Sequence, residues 1–157
     1  MSTIRTGLAC IFSVCLLLTC SSCIAASDIC RPFMTTFFRM PAKERTAKLG
    51  TFSLEKQYDM YICGMQEIEP PDDLSATFAL GGNNVVDLLK IKLSEAKKDE
   101  TISDIIRVFS EITRLKTYDV RNDKELLKLL TNSFKIINDA YWRRITEKHI
   151  NYILGKR

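Results

Sequence analysis

Residues 81–112 run GGNNVVDLLKIKLSEAKKDETISDIIRVFSEI, and the spacing of their apolar residues decides the fold class. Val85, Val86, Leu89 and Leu93 fall on one face of a helix with 3.6 residues per turn. A charged turn follows, Lys97-Lys98-Asp99-Glu100. Beyond it Ile102, Ile105, Ile106, Phe109 and Ile112 repeat the same pattern. Thr101-Ile102-Ser103-Asp104 has the form of a capping box, with Asp in place of the usual Glu or Gln, and predicts a helix start at Thr101. Gly81-Gly82 separates this pair from what precedes it, and Asn83 is the expected N-cap of its first helix.

The same period extends outward. On the C-terminal side Asp123 is placed to cap a helix with Leu126, Leu127, Leu130, Phe134 and Ile137 inward. A last helix beginning near Asp139 carries Trp142, Ile145, His149, Tyr152 and Ile153 on its expected inner face. On the N-terminal side, residues 74–80 form a short helix preceded by Pro70-Pro71 and restarted by Asp72 or Asp73. Ser53 caps the helix before it, in which Leu54, Tyr58, Tyr61, Ile62 and Met65 share a face and Cys63 lies beside it. Pro41 suits the first turn of a further helix that Gly50 ends. The aromatic-rich residues 27–40, SDICRPFMTTFFRM, predict a short helix after Pro32. No segment of useful length alternates with period two, so no sheet is expected. Connections of two to six residues imply neighbouring antiparallel helices.

Residues 80–112 resemble one unit of a HEAT or armadillo-type helical repeat. The carriers are Gly82, Val85-Val86, Leu88-Leu89, Leu93, the acidic turn at Asp99, Ile105-Ile106, Phe109 and Ile112. The proline common in the first helix of such units is missing, with Val86-Asp87 in that region. The resemblance implies stacked helical hairpins and a binding scaffold. The expected fold is therefore all-α, a compact bundle or a short HEAT-like stack of about six to seven amphipathic helices.

The N-terminus predicts export. Arg5 precedes an uncharged apolar run over residues 8–18, LACIFSVCLLL, which is signal-peptide length and too short for a confident membrane span. Small residues at Ala25 and Ala26 suit a signal peptidase, which divides the chain into a signal peptide, residues 1–26, and a single helical domain, residues 27–157. A second reading stays open. Leu17-Leu18-Thr19-Cys20 approximates a lipoprotein box, and Ser22-Cys23 fits it at one position, so Cys20 or Cys23 is the candidate for lipidation. A lipid there would make the only membrane contact.

Of six cysteines, four fall inside the signal, and Cys30 and Cys63 remain. In an oxidising compartment two cysteines suggest one disulfide, with two buried free thiols as the alternative. The bond would close a loop of about 34 residues, which contributes roughly 3–4 kcal/mol on the loop-entropy estimate. Arg5 is the only charged residue ahead of Ser27, so the remainder carries 22 basic and 19 acidic side chains, a net charge of +3. That mixed surface has no basic stripe interleaved with aromatics, and no nucleic-acid partner is expected.

The chemistry-bearing residues are few. Glu67, Glu69, Asp72 and Asp73 cluster around Pro70-Pro71, where carboxylates suit caps, acid–base work or a basic partner surface. They are the candidate partner-binding residues. His149 is the only histidine and falls on an apolar stripe, which suits a core or rim position. Gly81-Gly82-Asn83-Asn84 lacks the Lys-Ser/Thr of a phosphate loop and suits a capped turn. Tyr58, Tyr61 and Trp142 have helical spacing, so core is their default over an exposed aromatic patch. No catalytic, cofactor-binding or metal-binding set emerges, and no cofactor is expected.

These features predict an exported, non-enzymatic interaction protein of the periplasm or cell envelope, with another protein as its partner. Signal, size, helicity and the Cys30/Cys63 pair are similar to the periplasmic immunity proteins of the Tai4/Rap1a group, which neutralise toxins delivered by neighbouring bacteria. That resemblance implies tight binding of a toxin through an acidic or aromatic loop. The rival from another class is a small exported hydrolase using Glu67, Asp72 or His149.

Overall fold

The isoleucine-rich stretch of residues 99–115 forms the longest helix among the described residues, and five of the other described helices pack against it. The computed structural model describes residue 30, residue 31, residue 33 and residues 35–156. The expected signal peptide, with Cys20 and Cys23, lies outside the described residues. Among them are seven α-helices and no strand. They are α1 (Ala42–Leu49), α2 (Leu54–Met65), α3 (Asp73–Ala79), α4 (Gly82–Glu95), α5 (Asp99–Leu115), α6 (Lys124–Lys135) and α7 (Ala140–Ile153). A 3-10 turn, Val120–Asn122, precedes α6.

Local side-chain chemistry sets three of these starts. Ser53 accepts from the Lys56 amide, Asp123 from the Leu126 amide, and Asp139 from the Tyr141 and Trp142 amides. Each satisfies backbone donors that the first helical turn leaves without a partner. Two expected caps are corrected. Asn83 lies inside the first turn of α4 and caps nothing, because Gly82 takes a left-handed φ of 56° and starts the helix itself. A Cβ at Gly82 would stand 3.2 Å from the Thr117 carbonyl. Likewise α5 begins at Asp99, so residues 101–104 lie within the helix and form no capping box.

α5 packs against α2, α3, α4, α6 and α7, most extensively against α7. Ile102, Ile105, Ile106, Phe109 and Ile112 are fully buried there, as their spacing predicts. So are Val85, Val86, Leu89 and Leu93 of α4. With five helices around it, α5 also buries its polar residues Ser103, Asp104 and Ser110. The inner face of α7 is turned from the one expected. Thr146, Ile150 and Ile153 are buried, Trp142, Ile145 and His149 are half-buried, and Tyr152 is exposed. The Thr146 hydroxyl is satisfied within its own helix, donating to the Trp142 carbonyl at 2.7 Å, so it enters the core without an orphaned group.

Side chains tie the periphery to this centre. The Cys30 and Cys63 sulfurs lie at disulfide distance, 2.04 Å, and fasten residues ahead of α1 to α2. Arg45, buried on α1, donates to Asp73 of α3 from Nε (3.1 Å) and Nη2, and from Nη1 to the carbonyls of Phe38 and Met40. A forked guanidinium can fill all these acceptors at once. Arg121 donates to the carbonyls of Tyr152 and Ile153 and closes the end of α7. Asp99 accepts from the amides of Asn138 and Asp139, fastening the start of α5 to the start of α7.

Candidate functional site

The acidic residues flanking Pro70-Pro71 do not act as one group. Asp73 is held by Arg45 and belongs to the scaffold. Asp72 is fully exposed and meets Arg107 of α5 at 3.4 Å. Glu69 is exposed, and Glu67 is half-buried with one oxygen, Oε1, buried and without a hydrogen-bond partner. Between the two glutamates stands Ile68, whose side chain is entirely exposed at 101% of its reference area. The segment between α2 and α3 is therefore a projection with an aliphatic tip and carboxylates on either side. Sequence spacing gave no sign of Ile68, because a single isoleucine in a proline-terminated loop belongs to no periodic pattern.

A second feature lies where α2, α5 and α7 meet. A cleft of about 280 Å³ opens there, lined by Ile62 and Met65 of α2, by Gln66 just past its end, and by Glu100, Thr101 and Asp104 of α5. Trp142 of α7 completes the wall. Asp104 is 7% exposed, and its carboxylate receives no hydrogen bond from the described residues. Its backbone carbonyl, by contrast, accepts from the buried Tyr61 hydroxyl at 2.8 Å. Burial raises the carboxyl to about 7, against the smaller opposing effect of Arg107; Glu100 adds to the rise. The capping-box reading placed Asp104 at a helix end, and its position in the cleft is decided by what surrounds α5.

His149 lies apart from the acidic residues proposed as its partners. Its Nδ1 is 3.0 Å from the Ser110 hydroxyl, between α7 and α5. Burial lowers its pKa, and Arg107 lowers it further. Neither Glu67 nor Asp72 hydrogen-bonds to it or to the other. Tyr61 is fully buried and stacks near Phe78, with ring centroids 6.0 Å apart. Tyr58 is half-buried beneath the Lys92 ammonium, which sits 5.2 Å from its ring centroid. The two tyrosines therefore form no exposed aromatic patch with Trp142. Among the described residues no group of three metal-ligating side chains converges, and no helix is long and apolar enough to cross a membrane.

No protein-family model, characterised protein or solved structure matches this chain. The functional reading therefore rests on the projection and the cleft.

Proposed function

We propose that this chain is an exported, non-enzymatic helical protein that binds another protein through the projection between α2 and α3. The observation that carries this reading is Ile68. Ile68 is fully exposed and has no packing role in the fold, which leaves it free to serve as an apolar anchor flanked in sequence by carboxylates. Glu67 and Glu69 flank it in the chain and the exposed Asp72 follows, so the partner surface that fits is an apolar pocket with basic residues at its rim. The bonded Cys30–Cys63 pair is consistent with an oxidising compartment. Two successive helices, α4 and α5, are compatible with the HEAT-like reading, in which such a scaffold presents a binding edge.

A photo-crosslinking residue at position 68, introduced in the native host, tests this. One discrete adduct is expected, weakened when Glu67 and Glu69 are both changed to Lys. The same residue at exposed Lys124 on α6 serves as control. If position 68 yields only the diffuse adducts of position 124, the projection is not the contact site. Ile68→Ser should leave folding stability within about 0.5 kcal/mol, as for an exposed side chain with no packing partner.

A further inference from the structure

The cleft between α2, α5 and α7 holds a group that the fold does not need. Asp104 is more than nine-tenths buried as a residue, it lines the cleft, and no donor among the described residues reaches its carboxylate, whose oxygens are not fully enclosed. Arg107, one turn along α5, directs its guanidinium to Asp72 at 3.4 Å. Buried acceptors are nearly always satisfied, and an unsatisfied one beside an open cavity marks where a donor from outside belongs. A second carboxylate, Glu100, stands one turn earlier on the same wall. The remaining wall combines Ile62, Met65 and Trp142 with the polar Gln66 and Thr101.

The geometry points to this cleft as a binding site for an organic cation, an ammonium or guanidinium head on an apolar stem, with Asp104 as its counter-ion. The head donates to the Asp104 carboxylate, and Glu100 adds attraction at the mouth. The stem packs on Met65 and Ile62, and Trp142 offers the ring face best suited to a cation. A volume of about 280 Å³ is at the small end of ligand sites and suits one such group. Two sources share this chemistry, a free small amine and a Lys or Arg side chain of a protein. The inference stands on the cleft alone and does not need Ile68, although Gln66 places the cleft's edge next to the projection.

The assay is intrinsic. Trp142 is the chain's single tryptophan, so its fluorescence reports occupation of the cleft directly. The probes are benzylamine and n-butylguanidinium for a free ligand, and acetyl-glycyl-arginyl-glycinamide for a protein side chain, with benzyl alcohol as the uncharged control. Saturable emission change is expected with the cations at pH 8 and none with benzyl alcohol. Asp104→Asn should weaken the cations at least tenfold, Glu100→Gln about threefold, and Glu125→Gln on exposed α6 not at all. Tighter binding of the small amines identifies a free ligand; tighter binding of the peptide identifies a side chain. Equal binding by wild type and Asp104→Asn, or no saturation by any cation, overturns the proposal. Thermal melts of both variants confirm that a lost signal is not lost folding.

Discussion

Asp104→Asn should stabilise this protein, and only at neutral and alkaline pH. The carboxyl is raised from 3.8 to about 7 by burial, so the folded state holds a proton that the unfolded state has released. A raised carboxyl makes folding stability fall as pH rises from the unfolded value to the folded one. Below about pH 4 the group is neutral in both states and costs nothing through ionisation. Above about pH 7 it must be ionised in a site where no described residue donates a hydrogen bond to it. Three pKa units at 1.36 kcal/mol each give an upper bound of about 4 kcal/mol at pH 8. Asparagine removes the charge but keeps a buried amide that needs partners, so a gain of about 2–3 kcal/mol is expected. For a chain of this size that is a rise in Tm of roughly 4–12 °C. The charged and titratable groups around Asp104 are Arg107 and Glu100 on its own helix and Tyr58 and Tyr61 on α2. Burial pushes Tyr58 up to about 12 and raises Tyr61 well above the usual tyrosine value, so both stay neutral across the range. The assay is urea unfolding of wild type and variant at pH 4 and pH 8. Similar stabilities at pH 4 and a more stable variant at pH 8 are expected. A variant that is less stable at pH 8, or a difference that does not change with pH, would refute the argument. The same substitution should weaken cation binding in the cleft at least tenfold, so the residue that lowers stability is also the one the proposed site needs.

Three further outcomes follow from the packing. Gly64→Ala should destabilise by about 1–3 kcal/mol in chemical unfolding, because the added methyl would meet a Leu74 methyl at 2.4 Å and the Phe38 ring at 3.0 Å. Asp73→Asn should cost about 3 kcal/mol and lower Tm, since it leaves the buried Arg45 guanidinium without its counter-charge; an unchanged Tm would show that the carbonyls of Phe38 and Met40 suffice. Replacing both Cys30 and Cys63 by Ser should lower the unfolding free energy by roughly 3–4 kcal/mol, given their separation of 33 residues. Intact mass before and after reduction checks the bond itself, by a gain of about two hydrogens.

The single histidine and the acidic residues show how far sequence neighbourhood misleads. Glu67, Glu69, Asp72 and Asp73 stand within seven positions of one another, yet the fold sends Asp73 to Arg45 and Asp72 to Arg107 and leaves Ile68 at the tip between the glutamates. His149, placed on an apolar stripe by its spacing, is half-buried with Ser110 as its partner. These pairings join residues 28 to 39 positions apart, and no local pattern encodes them.

What the sequence determined by itself was local: helix rather than strand, the caps at Ser53, Asp123 and Asp139, and the inner stripes of α4 and α5. Each follows from a period of 3.6 residues or from a side chain satisfying its own helix's amides. The tertiary structure decided how wide each buried face is. α5 is enclosed by five helices, which carried Asp104 from an expected cap into a cleft wall, while α7 turned until Tyr152 faced solvent and Thr146 the core. Period says which residues share a face; only the neighbours say how much of the helix is covered.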